Sequence, residues 1–367
     1  MIYFVFMTVF ILVVSAVLFT CIPHDEAFKA FQYSARDMYA SSESDIVLVY
    51  PPLFSKTDPL KFSADVGDDA YKMTYVWNFD SYNQSYRAEI PIELLEYYRA
   101  KPHNFSEYQR YALSDYDREV IRHFAAAFKE NGRRHKHTDD QIAMNIITFA
   151  YTLPYTSDLE TAGVADYPRY PIETLVEGGD CEDRAILISA LLYELGIENI
   201  IIQLENHAAV GLKDNGNYTG KYYDYNGTRY YYAEVSEGGG IGVVPATINQ
   251  NLIALYSVTK TPYFSSTIRH YSAGRNSDGY LYNLQGTVKN LGPGEGKNVT
   301  VHAVTTVSGS GSAVPADKFI LIGDLPEDYS ANIEAVISVP KGHGIVNIYI
   351  EGDNFEPITI SGFYFNF

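Results

Sequence analysis

Two hydrophobic periods run through this chain. Over 71–79 (YKMTYVWNF) and 85–92, β-branched and aromatic residues alternate with polar ones, which predicts half-buried strands. A short helix over 93–100 follows, ended by Pro102. Over 115–131 the spacing changes: Val120, Ile121, Phe124 and Phe128 recur on one helical face, and Gly132 is expected to stop that helix. Thr138, with Gln141 three residues on, has the pattern of a capping box. Ile142, Ile146, Ile147 and Phe149 then carry a second amphipathic helix to Leu153-Pro154. Both helices are expected to form a scaffold behind GGDCEDRAILISALLYELG, residues 178–196. There Asp180 can cap a helix, Ala185, Leu187, Ile188, Leu191, Leu192 and Leu195 bury one face, and Gly196 ends it.

The loop over 155–179, with little regular structure of its own, is expected to form a wall beside that helix. Strands are predicted over 199–204 and 206–212. Asn226-Gly227 is a type I′ hairpin signal, which folds a strand over 229–235 back alongside 206–212. A helix over 248–258 and a polar linker over 267–279 are expected next. From 280 onward, short alternating strands (280–288, 299–306, 318–322, 331–339, 344–351 and 358–367) are separated by Gly, Pro, Asp and Asn. That spacing predicts an antiparallel β-sandwich. The expected class is α+β, with a membrane segment at 1–21, a linker and membrane-proximal helix at 22–69, a first domain at 70–275 and the sandwich at 276–367.

Residues 1–20 carry no charge, and about 20 apolar residues span a bilayer core. No Lys or Arg precedes the run and Ile22-Pro23 follows it, so an uncleaved single-pass anchor is expected over a cleaved signal peptide. The bulk of the chain would then stand outside the cell. Asn-x-Ser/Thr tripeptides at Asn83, Asn104, Asn217, Asn226 and Asn298 are compatible with that location. A net charge of −18 argues against a nucleic-acid partner, because phosphate binding needs clustered Lys and Arg.

Cysteine occurs twice, at Cys21 beside the apolar segment and at Cys181 in the first turn of the predicted helix. Free N–H groups and aligned peptide dipoles at a helix start favour a thiolate. His207 supplies a base and Glu234 an acceptor to orient it. Asp180, Glu182 and Asp183 act in the opposite sense, since negative neighbours disfavour a thiolate. Those carboxylates also form a candidate Ca²⁺ site, centred on Asp180 and Glu182. The alternative for Cys181 is a small buried hydrophobe.

YPRYPIETLVEGGDCEDRAILISALL, HAAVGL and YYYAEVSEGGGIGVVP together resemble the transglutaminase-like superfamily, a papain-related α+β fold, of the exported archaeal and bacterial cysteine-peptidase type. The resemblance covers roughly residues 70–245. It implies Cys181 as nucleophile, His207 as general base and Glu234 as orienting acid, in a peptidase, amidase or acyltransferase working through an acyl-enzyme on a protein or peptide substrate. Hydrolysis is favoured over cross-linking, and no cofactor is required. Two positions depart from the family pattern: Glu234 stands where many relatives have Asp, and Val235 where Thr is expected. The C-terminal stretch is similar to CARDB-like, immunoglobulin-fold surface modules. The competing reading is a non-catalytic cell-envelope binding or adhesion protein on the same fold.

Overall fold

The computed structural model describes the backbone of residues 45–47 and residues 70–236, 238–277, 279–307 and 317–366. The apolar segment 1–20, Cys21 and the membrane-proximal helix expected after them, at 25–40 within the 22–69 region, lie outside the described residues. Among the described residues, no helix is long and apolar enough to cross a membrane.

The fold is α+β, with mostly antiparallel sheets. Two compact units divide the described residues: 45–47 and 70–108 with 119–256, and 109–118 with 257–366. In the first unit, β1 (Asp45–Val47), β2 (Ala70–Phe79) and β3 (Tyr82–Pro91) form a three-stranded sheet in the order β1-β3-β2. Helix α1 (Ile92–Arg99) leaves it. Trp77 on β2 is buried, donates from Nε1 to Asn145 Oδ1 at 2.7 Å, and packs edge-on against Phe149. The lone tryptophan therefore anchors this sheet to the helical layer.

Helix α2 (Gln109–Ala112) belongs to the second unit, and α3 (Arg118–His135) and α4 (Asp139–Thr152) follow. Thr138 and Gln141 form the expected capping box at the start of α4. Gly132 does not end α3, which runs on to His135. A Cβ at Gly132 would lie 2.6 Å from the Ile142 side chain, so its smallness serves the close approach of α4 rather than a helix stop. The expected irregular loop over 155–179 contains two short helices, α5 (Asp158–Thr161) and α6 (Pro171–Glu177). Their polar residues are satisfied inside the fold: Arg169 pairs with Asp158 at 2.8 Å and Asp183 at 2.6 Å, and Asp158 accepts from the Tyr167 N–H at 2.6 Å.

Helix α7 (Cys181–Glu194) packs against β4 (Asn199–Leu204) and β5 (His207–Lys213). These strands belong to a five-stranded sheet with β6 (Tyr222–Tyr225), β7 (Thr228–Ala233) and β8 (Leu252–Ser257), in the order β6-β7-β5-β4-β8. Asn226 and Gly227 both take positive φ at the β6–β7 turn, as the hairpin signal predicts. Strand β7 pairs antiparallel with β5, with Val210 opposite Ala233 and Lys213 opposite Tyr230. The helix expected over 248–258 is instead the edge strand β8. Its apolar run is too short to sustain a helix, and the open edge of β4 offers a full ladder of backbone partners.

The second unit is a β-sandwich. One sheet joins β10 (Arg269–Arg275), β11 (Gly279–Pro293) and β14 (Ser330–Pro340), with β9 (Pro262–Ser266) also on β11. The other has the order β13-β12-β15-β16, from β12 (Gly296–Val307), β13 (Asp317–Leu325), β15 (His343–Glu351) and β16 (Ile358–Asn366). Leu284, Val288, Val301, Ile337, Ile348 and Phe365 share its core. The polar linker expected over 267–279 is mostly β10, exposed along its length, which explains its lack of hydrophobic signal. Segment 109–118 joins this unit through buried Glu327, whose carboxylate accepts from Ser114 Oγ and the Asp115 N–H, each at 3.1 Å.

Candidate functional site

The site is built at the start of α7 and at one end of the five-stranded sheet. Gly178 takes φ +80, a conformation that favours glycine, and a Cβ there would lie 2.3 Å from the Pro154 carbonyl oxygen. Gly179 donates to that same oxygen at 3.0 Å. The end of α4 thus fixes the turn that delivers Asp180 and Cys181. Asp183 Oδ2 reaches back to the Asp180 N–H at 3.1 Å, closing the first turn.

His207 begins β5, and Glu234 follows the last residue of β7. Their side chains meet: His207 Nε2 lies 3.1 Å from Glu234 Oε2, both buried. Glu234 is surrounded by donors. Tyr232 OH donates to Oε2, and the Val235 and Ser236 N–H groups donate to Oε1 at 2.9 and 2.7 Å. Burial alone would raise this carboxyl, but the hydrogen bonds from His207 and Tyr232 outweigh it and hold Glu234 at about 2. An ionised carboxylate only accepts, so Nε2 carries a ring proton and donates to Glu234, which leaves Nδ1 as the ring nitrogen not used in this pair. Val235 acts here through its backbone N–H, so its side chain is not needed to hold Glu234.

Cys181 reaches this end of the sheet through the residue beside His207: its sulfur interacts with the Ala208 backbone N–H. The thiol itself donates to Glu182 Oε2 at 3.2 Å. Burial pushes the Cys181 thiol far above its ordinary value. Glu182 and Asp180 push it further, while the Ala208 N–H and the charge of Arg184 work downward without offsetting them. The helix start alone therefore does not hold a thiolate. Burial, together with the Asp180 side chain, raises Glu182 to about 10, and burial raises Asp180 as well.

The third acidic residue has a different role. Asp183 is fully buried and accepts from Arg169 through both its side chain and its backbone N–H, each at 2.6 Å. It staples the 158–169 segment to α7. Arg184 is also committed elsewhere. It donates to the Leu153 carbonyl at 2.8 Å and lies 5.2 Å from the ring centre of Tyr155, itself an exposed side chain.

Asp180, Cys181 and Glu182 each offer a ligand atom within 4.8 Å of the others, and so do Asp158, Asp166 and Glu182. Asp180 Oδ1 is buried with no hydrogen-bond partner. With Asp158 bound to Arg169, the oxygens of Asp180 and Glu182, with Asp166 beside them, form a donor set that fits a hard cation such as Ca²⁺.

Sequence reading missed Tyr232, Tyr108 and Gln203. Tyr232 lies two residues before Glu234, so strand periodicity alone could have placed both on one face. Tyr108 is buried near Cys181, Glu182 and Asp166 and bonds to Gln203, which also accepts from Tyr256 OH at 2.7 Å. No local pattern marks those long-range partners.

No family model and no curated protein matches the chain. Among solved structures, the chain is similar to the putative ApaA protein from Bordetella pertussis, at 16% identity and TM-score 0.22, over 29% of this chain and 94% of that one. A β-glucosidase from Listeria innocua in complex with glucose is similar at 11% identity and TM-score 0.21, over 32% of this chain and 18% of its own. One from Erythrobacter marinus is similar at 13% identity and TM-score 0.20, over 32% of this chain and 18% of its own. Overlaps at these scores carry no argument about fold or activity.

Proposed function

We propose that this protein is a thiol acyl-transfer enzyme of transglutaminase-like type, anchored in the cell membrane by residues 1–20 and facing outward. It would act on amide bonds of a protein or peptide substrate. The observation that carries the reading is the buried His207–Glu234 pair at 3.1 Å, next in sequence to the Ala208 N–H that engages the Cys181 sulfur. Glu234 holds Nε2–H, so Nδ1 is the atom that takes the thiol proton. The sulfur then attacks the substrate carbonyl carbon, and the developing oxyanion takes a hydrogen bond from the Cys181 backbone N–H at the helix start. His207 returns the proton to the departing amine, leaving a thioester. Water attacking that thioester gives hydrolysis, the favoured outcome; an amine gives cross-linking.

Glu182 must release the thiol before this sequence starts. Asp180 and Glu182 are the residues that would hold Ca²⁺, whose charge would offset theirs beside the sulfur. One observation favours the alternative of a non-catalytic envelope protein: the thiol is protonated and tied to Glu182. The two readings separate on the pH dependence of Cys181 alkylation in folded protein beginning after Cys21, with and without Ca²⁺. A thiolate forming below the free-cysteine value of about 8.5, and lost in His207→Ala, supports the enzyme. A thiol that reacts only after unfolding rules it out.

A further inference from the structure

The five Asn-x-Ser/Thr tripeptides have a structural property that the sequence does not show. Asn83, Asn104, Asn217, Asn226 and Asn298 are all exposed. The asparagines buried in the fold, Asn131, Asn145, Asn199 and Asn290, all lack the tripeptide. A glycan attached at Nδ2 needs an open side chain, because no packed core accommodates a sugar. Every tripeptide asparagine meets that condition and no buried asparagine is put at risk.

Backbone setting points the same way. Asn226 sits at the tip of the β6–β7 hairpin with φ +52, and Asn298 near the start of β12 has φ +50. Asn217 lies between two glycines of positive φ, Gly216 and Gly220, in the connection from β5 to β6. Asn83 follows the β2–β3 turn, where Asp80 and Ser81 both have positive φ, and Asn104 lies between α1 and α2. Acceptor tripeptides belong in exposed turns of this kind.

Strand register separates two of these positions from the candidate site. His207 opens β5 and Glu234 follows β7, whereas Lys213 closes β5 opposite Tyr230, near the start of β7. Asn217 and Asn226 are therefore at the far end of the sheet. A seven-residue strand at about 3.3 Å per residue puts roughly 20 Å between the two ends. Sugars there leave the His207–Glu234 end open.

We propose that Asn83, Asn104, Asn217, Asn226 and Asn298 are N-glycosylation sites, an inference that rests on the outward-facing location proposed above. The co-reactant is a lipid-linked oligosaccharide phosphate. The asparagine Nδ2 forms a bond to the anomeric carbon of the sugar, the bond from that carbon to the phosphate oxygen breaks, and the lipid phosphate leaves. The amide proton displaced from Nδ2 passes to solvent. In the folded protein Asn298 Nδ2 donates to Asp353, a surface hydrogen bond that attachment of the sugar would replace.

The test is peptide mass spectrometry of full-length protein purified from the cells that make it, run beside protease shaving of the intact cells. A sugar mass increment is expected on each of the five asparagines. Thr228→Ala, which keeps Asn226, should lose the increment at Asn226 alone. Protein that shaving reaches, with all five asparagines bare, overturns the assignment while the outward location stands; a single bare site removes that site. Protein that shaving cannot reach refutes the location and the glycosylation with it.

Discussion

Glu234 and Glu182 are both buried glutamates beside the same sheet end, and their charges are driven in opposite directions. Glu234 faces a histidine, a tyrosine hydroxyl and two backbone N–H groups, and stays ionised down to about 2. Glu182 faces Asp180 and the Cys181 thiol, and burial with that carboxyl neighbour pushes it up to about 10. Burial penalises both charges alike, so the count of donors against acceptors decides the outcome. One side of the site is finished as protein. The other has carboxyl oxygens in excess of donors, among them the buried Asp180 Oδ1 with no hydrogen-bond partner.

The largest effect is expected from emptying the donor-rich side. Glu234→Ala removes the acceptor of four donors, and each buried donor left unpaired costs about 1–3 kcal/mol. Its melting temperature should fall clearly in calorimetry. Turnover on a fluorogenic peptide amide should drop on the order of 10³–10⁴-fold, the scale for losing the group that orients a catalytic histidine. Glu234→Gln keeps an acceptor and should recover most of the stability but little of the rate. Equal losses in the two variants would mean that Glu234 only fills space.

Next in size is the acid-rich side. Glu182→Gln removes a carboxyl whose ionisation opposes that of the thiol beside it, so the pH profile of Cys181 alkylation should move down by about one unit or more. An unchanged profile would break the proposed opposition between the two glutamates. Adding Ca²⁺ to the unaltered protein should move the profile the same way and raise the melting temperature, and both responses should vanish in Asp180→Asn/Glu182→Gln.

The smallest effect is on stability against pH. Glu182, and Glu173 on α6, are raised to about 10 and 8, chiefly by burial. A carboxyl raised in the fold keeps a proton that the unfolded chain has released, so its contribution is full below the ordinary carboxyl range and lost as pH climbs through the raised value. Glu234 has the opposite sign: its contribution is present above about 4.5 and lost as pH falls toward 2. Melting temperature without added cation should therefore decline from mildly acidic pH toward pH 10. A maximum at pH 8 or above would contradict the protonated state assigned to these buried acids.

Much of the frame was legible beforehand. The strands around Trp77, the capped helix from Thr138, the helix after Asp180, the Asn226-Gly227 hairpin and the six main strands of the sandwich all follow from local period and turn chemistry. The misread segments share one cause. Residues 248–258 and 267–279 become strands because partner strands offer ladders, and Gly132 is a packing contact with Ile142 rather than a helix stop. In the site, the candidates Cys181, His207 and Glu234 could be named from motif and order, whereas Tyr232, Tyr108 and Gln203 could not.

Sequence alone determined which elements form and which residues could do chemistry, because helical period, strand alternation and capping are short-range properties of the chain. Tertiary structure decided the charge on each of those residues. Asp180, Glu182 and Asp183 are near neighbours with similar intrinsic acidity. Yet Asp183 is bound to Arg169, Glu182 meets the thiol, and Asp180 keeps a buried oxygen with no hydrogen-bond partner. Solvation and charge pairing depend on what the rest of the fold brings within a few ångströms, and no local pattern carries that information.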